Sequence, residues 1–120
     1  MKKILIVDDE ASIRFLISET LEINDYEINE AEDGEEAISI ANENEFDLIL
    51  LDVMMPKLTG YEVAKALKEN KNKRKPKIIM LTAKGQQKDR EEGFENGADY
   101  FLTKPFSPIE LLELVEEILG

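Results

Sequence analysis

The 120-residue sequence predicts an α/β domain built on a parallel sheet with helices on both faces. Short strand-like runs alternate with stretches of helical period from one end of the chain to the other. The runs Ile4-Leu5-Ile6-Val7, Leu48-Ile49-Leu50-Leu51 and Ile78-Ile79-Met80-Leu81 are continuously apolar, as strands are when helices cover both sides of the sheet. Charged or hydroxylated residues then close these runs: Asp8-Asp9, Asp52 and Thr82, with Lys104 following the further run Tyr100-Phe101-Leu102.

Taken in order, the first strand is expected over Lys3–Val7. A helix follows, with Ile13, Leu16, Ile17, Thr20 and Leu21 along its apolar face. The second strand, over 26–30, is more polar (Tyr26-Glu27-Ile28-Asn29-Glu30), which places it at a sheet edge. Asp33-Gly34-Glu35-Glu36 then opens a second helix in the manner of a capping box. The third strand spans 47–51, and the capping box Thr59-Gly60-Tyr61-Glu62 starts the third helix. The fourth strand spans 77–81. The helix expected after it, over 84–96, has two glycines and no large apolar residue before Phe94, and Asn96-Gly97 is its stop signal. It is expected to be the least stable of the helices. A fifth strand over 99–102 leads to Ser107-Pro108-Ile109-Glu110, a capping box with proline at the first helical position. Ile109, Leu112, Val115 and Leu119 mark the expected apolar face of this last helix, with Glu116 the lone polar member.

Bulk properties narrow the function. The length suits one domain over 1–120, large enough for a core without staples. Without cysteine the chain has neither disulfides nor thiolate metal sites, and without histidine it lacks the usual general base and imidazole ligands. No apolar run approaches the roughly 20 residues of a membrane span, and Met1-Lys2-Lys3 leads into a strand rather than a signal-peptide core. The expectation is a soluble cytoplasmic protein. A net charge of −12 argues against direct contact with nucleic acid or an acidic membrane. The chain's basic residues are concentrated between Lys65 and Lys77, mostly in 70–76, where a solvated surface is the simplest reading.

In a parallel sheet the loops after the strands gather on one edge, where ligands bind. Asp8, Asp9, Asp52, Thr82 and Lys104 should therefore converge. Carboxylates held so close repel unless one is protonated, paired or bound to a cation. An acidic pocket with one lysine reads as a divalent-metal site that handles phosphoryl groups. Taken alone, Asp8 and Asp9 also suit a helix N-cap and first-turn acid, Thr82 a strand end, and Phe101 the core.

Val7-Asp8-Asp9-Glu10, Leu51-Asp52-Val53-Met54-Met55-Pro56, Leu81-Thr82-Ala83 and Leu102-Thr103-Lys104-Pro105-Phe106 together resemble the signatures of two-component response-regulator receiver domains. Asp33-Gly34, Gly60 and Gly97-Ala98-Asp99 extend the resemblance over essentially the whole chain. It implies a flavodoxin-like receiver fold: five parallel strands in the order 2-1-3-4-5. It also implies that Asp52 is the phosphoacceptor. Asp9 and Asp52 would ligate Mg²⁺ directly, Asp8 through water, and the Met54 carbonyl would add an oxygen. Thr82 and Lys104 would contact the phosphoryl oxygens, and the Lys104–Pro105 bond would be cis. Thr82 and Phe101 would form the switch, read out on the helix over 84–96, the fifth strand and the last helix. The implied partners are a sensor histidine kinase or phosphotransfer protein and a downstream effector. Phe15, opposite the apolar stripe of the first helix, and its neighbour Arg14 are the candidate contacts for the former.

Met54 and Lys84 would flank the path of hydrolytic water to Asp52 and prolong the phosphorylated state. The chain would catalyse its own phosphorylation without being a conventional enzyme. A small phosphohydrolase with an aspartyl nucleophile is the alternative, but Met54 stands where the best-known such family needs a second aspartate. A receiver-like interaction module is a further alternative, opposed by the presence of Asp9, Asp52, Thr82 and Lys104 together.

Overall fold

In the computed structural model, which describes residues 1–69, 75–83 and 97–120, the alternation of the sequence becomes a single parallel sheet. Its strands are β1 (Lys3–Val7), β2 (Glu27–Ala31), β3 (Leu48–Asp52), β4 (Lys77–Ala83) and β5 (Tyr100–Lys104). They pair in the order β2-β1-β3-β4-β5, all in parallel, as expected. The described helices are α1 (Ala11–Leu21), α2 (Gly34–Glu43), α3 (Gly60–Glu69) and α4 (Pro108–Leu119). A 3₁₀ turn over Glu22–Asn24 links α1 to β2. The helix expected over 84–96, Lys84 within it and the basic segment 70–74 lie outside the described residues.

Burial follows from strand alternation. Odd-numbered β1 and β3 residues Leu5, Val7, Ile49 and Leu51 pack with Ile78 and Met80 against α2 and α3, where Ala37, Ala41, Val63, Ala64 and Leu67 complete the layer. Their neighbours Ile4, Ile6, Leu48 and Leu50 join Ile79, Leu81 and Leu102 on the opposite face, beneath Ile17 and Leu21 of α1 and Leu111 and Val115 of α4. β3 is buried at every position because it lies in the middle of the sheet. β2, at the edge, is exposed at Glu27 and Glu30 and fully buried only at Ala31, as its polar composition requires.

The caps act as read. Thr59 N–H donates to Glu62 at 3.1 Å, while Glu62 N–H donates to the Thr59 hydroxyl at 3.3 Å, a reciprocal box. Asp33 accepts from Glu36 N–H, and Ser107 accepts from Glu110 N–H ahead of α4. Gly97 sits at φ 107°, a backbone conformation that favours glycine, and an added Cβ would meet Lys68 Cγ at 2.4 Å; the helix expected to stop there lies outside the described residues.

The structure corrects three details. β2, β3, β4 and β5 run one or two residues beyond their expected ends, because parallel pairing continues through Val7↔Ala31, Asp52↔Leu81, Thr82↔Thr103 and Ala83↔Lys104. Leu16, assigned to the inner face of α1, is 38% exposed. α4 keeps most of the expected stripe, with Val115 buried and Leu112 and Leu119 packed against the same core, but Leu111 is buried as well, whereas Ile109 is 68% exposed and Glu116 is also outside. The apolar residues of that helix are broader than one stripe, and the covered face centres on Leu111 and Val115, with Leu112, Leu114, Ile118 and Leu119 partly buried alongside.

Candidate functional site

The site forms where β1 and β3 end side by side. Val7 pairs with Leu51, so Asp8 emerges beside Asp52. Every polar atom of Asp8 is engaged. Its N–H donates to the Ala31 carbonyl at 3.3 Å and its carbonyl accepts from Arg14 Nη1. One carboxylate oxygen accepts from Glu10 N–H at 2.9 Å; the other meets Lys104 Nζ at 2.8 Å. A fully buried carboxylate needs partners of this kind, and here it has them. Lys104 ends β5, and its ammonium also reaches Asp52 Oδ1 at 3.5 Å. The Lys104–Pro105 bond is cis, as expected.

Asp52 is 5% exposed and its Oδ1 accepts from Met54 N–H at 3.3 Å. Burial and then the charge of Asp8 push its carboxyl up to about 6, against the lowering effect of Lys104 and the Met54 amide. Burial acts to lower the Lys104 ammonium, but the hydrogen bond to Asp8 and the charges of Asp52 and Asp8 raise it overall. The lysine is therefore a fixed cation in a pocket with surplus negative charge. Close behind Asp52, Gly60 N–H donates to the Val53 carbonyl at 3.0 Å, and a Cβ on Gly60 would lie 2.4 Å from the Asp52 carbonyl oxygen. The start of α3 can sit this near the acidic strand end only as glycine.

Asp9 is exposed at the mouth, and the carboxylates of Asp8, Asp9 and Glu10 all lie within 4.8 Å of one another. An all-oxygen carboxylate set beside a buried acid resisting ionisation suits a hard divalent cation such as Mg²⁺. Glu10 is an addition: three consecutive acids after a strand were visible in the sequence, but the third carried no assignment. Thr82 is buried at 2% exposure near the end of β4, opposite Thr103, with Ala83 opposite Lys104. The Met54 side chain is 64% exposed at the rim, while its amide faces Asp52.

Phe101 is half-buried against the α2–α3 side of the sheet and Tyr100 packs on the α1–α4 side, the opposition that strand alternation predicts. On α1, Phe15 is 66% exposed. Arg14, grouped with it as a partner contact, turns inward instead: its side chain is 11% exposed, with Nε 3.2 Å from Glu30 and Nη2 3.9 Å from Glu32. The proximity of Arg14 to Asp8 depends on the path of the turn between them, which residue spacing does not reveal.

A parallel 2-1-3-4-5 sheet with clustered acids and one lysine at the carboxyl edge defines a flavodoxin-like α/β domain of the receiver type. Residues 4–116 match the response regulator receiver domain family, and the chain belongs to it. It is similar to the transcriptional regulatory protein SrrA of Staphylococcus aureus, 50% identical over 117 residues that cover 98% of this chain and 47% of that protein. The chain thus spans about half the length of the curated relatives it matches. Among solved structures it resembles Vibrio cholerae chemotaxis protein CheY4, with a TM-score of 0.92 at 40% identity over 99% of both chains. It also resembles the receiver domain of the Francisella response regulator 1452, with a TM-score of 0.86 at 37% identity over 98% of this chain and 96% of that one. Domains of this family are signalling switches of two-component systems rather than conventional enzymes. No helix among the described residues is long and apolar enough to cross a membrane.

Proposed function

We propose that the chain, as one receiver domain over 1–120, accepts a phosphoryl group on Asp52 from a histidine kinase or phosphotransfer protein in a Mg²⁺-dependent reaction. The modification then alters the surface it offers to an effector. The observation that carries this reading is the single ammonium of Lys104, 2.8 Å from Asp8 and 3.5 Å from Asp52. One cation shared by two buried carboxylates leaves the pocket anionic, ready for a metal and then for a phosphoryl group.

A carboxylate oxygen of Asp52 attacks phosphorus, and the P–N bond of a phosphohistidine breaks with its electron pair passing to the imidazole. The product is an acyl phosphate on Asp52. Asp8, Asp9, Asp52 and the Met54 carbonyl would hold Mg²⁺, with Glu10 within reach of the same volume. When bound, the ion supplies positive charge against the carboxylates and the transferring phosphoryl oxygens. Lys104 shifts its hydrogen bonding from the acids to a phosphoryl oxygen, contributing a point charge where negative charge accumulates. The Thr82 hydroxyl and the Ala83 amide donate to the remaining oxygens, and movement of Thr82 opens space for Phe101 to turn inward. Met54 at the rim obstructs water, favouring a long-lived acyl phosphate. The acidity of the chain places nucleic acid and anionic membranes outside this domain's own contacts, and the reading is of a cytoplasmic protein.

Incubation with acetyl phosphate and Mg²⁺, followed by intact mass, tests the reading. One added phosphoryl group is expected, absent in EDTA and absent in Asp52→Asn. An adduct that persists in Asp52→Asn would place the acceptor elsewhere; catalytic release of phosphate without any adduct would favour a phosphohydrolase.

A further inference from the structure

We infer that Arg14 is a positioning residue for the divalent-cation site, acting through the backbone of Asp8; this rests on the Mg²⁺ site proposed above. Asp8 and Asp9 share a peptide, and Arg14 Nη1 donates to the oxygen of that peptide. The opposite end of Asp8 is tied to β2 through its N–H on the Ala31 carbonyl. With the nitrogen and oxygen of Asp8 both held, the plane of the Asp8–Asp9 peptide is fixed. The direction in which Asp9 presents its exposed carboxylate follows from that plane.

Arg14 is itself braced. Its Nε is 3.2 Å from Glu30 and its Nη2 3.9 Å from Glu32, so the planar guanidinium spans from the β2 edge to the metal-binding turn. The brace serves a second purpose. A free cation beside a cation site would repel Mg²⁺, but Glu30 and Glu32 offset the Arg14 charge while leaving its donors in place. Lysine, with a point charge and no fork, can reach either the carbonyl or Glu30 but cannot hold both in one plane.

The two possible roles of Arg14 predict opposite signs. If Arg14 acts only as a nearby positive charge, Arg14→Ala should tighten Mg²⁺ binding. If it positions the turn, Arg14→Ala should weaken it, by about tenfold, the low end of the effect of groups that orient metal ligands. The measurement is titration calorimetry with MgCl₂ on the unphosphorylated full chain, for wild type, Arg14→Ala, Arg14→Lys and Glu30→Gln. Alongside it, the acetyl phosphate reaction is followed across Mg²⁺ concentration. The expected result is a higher half-saturating Mg²⁺ for Arg14→Ala, partial recovery in Arg14→Lys and a smaller loss in Glu30→Gln. The rate at saturating Mg²⁺ should remain near that of wild type. Glu30→Gln keeps every backbone contact of the turn, so it reports even if Arg14→Ala folds poorly. Unchanged or tighter binding in Arg14→Ala and Glu30→Gln, with wild type binding normally, overturns the role of Arg14 alone. Wild type that binds no Mg²⁺ removes the site and this role with it.

Discussion

At the scale of single residues, the burial of Asp52 is the most consequential feature of the site. An ionised carboxylate at 5% exposure, beside the buried Asp8, is retained at a cost to the unliganded fold. The native carboxyl stands at about 6 against 3.8 for the free group, so between those values the folded state holds a proton that the unfolded state has lost. Stability contributed by this site is therefore highest at low pH and falls as pH rises from about 4 through 6. By linkage the loss reaches about 3 kcal/mol above pH 7, for a shift of roughly two pKa units. Asp52→Asn removes the charge and keeps the shape. In EDTA it should be more stable than wild type at pH 7.5, and the gap should shrink by about 2 kcal/mol at pH 4.5, read by urea denaturation. A less stable variant at pH 7.5 would mean that pairing with Lys104 outweighs burial. The gathering of Asp8, Asp52 and Lys104, with Asp9 beside Asp8 and Thr82 near the end of β4, was legible in the sequence because each stands at or near a strand end and the topology brings strand ends together. The inward turn of Arg14 was not, since a contact across a loop leaves no periodic mark.

At the scale of elements, legibility followed how much of a segment's environment was uniform. β1, buried along its length except at Lys3, was placed to the residue. β2, at the edge, was shifted by one, since a polar run gives no sharp end to its hydrophobic pattern. In α4, Leu111 was missed and Ile109 assigned inward because leucines and isoleucines fill more than one face, and only the position of β5 and α1 decides which of them are covered. α1 was read well enough to carry a prediction. Its inner face, Ile17, Thr20 and Leu21, is buried, and Phe15 stands out on the far side at 66% exposure. Phe15→Ala should leave the melting temperature within about 2 °C, as expected when an exposed residue away from the core is truncated. It should also leave the acetyl phosphate reaction unchanged, while slowing transfer from a phosphorylated histidine-kinase domain. Equal transfer rates from the kinase domain would remove Phe15 from the docking surface.

At the scale of the molecule, the whole chain's charge and the local charge of the site point the same way and must be separated. With 27 acidic against 15 basic residues, the fold repels itself, and any added salt relieves part of that. The pocket adds a localised excess of Asp8, Asp9, Glu10 and Asp52, in which Lys104 pairs with the carboxylates of Asp8 and Asp52 while Arg14 holds the Asp8 carbonyl and is itself paired with Glu30 and Glu32. Lys104 and Asp8 lie 96 residues apart in sequence, so their contact ties the last strand to the first at the carboxyl edge of the sheet. A cation bound there joins β1 to β3 as well, and so stabilises the assembled sheet rather than one segment. Mass action gives about 1.4 kcal/mol at ten times the dissociation constant, or roughly 5 °C in melting temperature for a domain of this size. MgCl₂ should therefore raise the melting temperature by about that much over KCl at equal ionic strength. Asp9→Asn should abolish the difference between the salts while keeping the smaller response to KCl, because it removes a ligand but changes the total charge by only one. If MgCl₂ and KCl act alike on wild type, the stabilisation is screening of the whole surface and the acidic edge holds no specific ion.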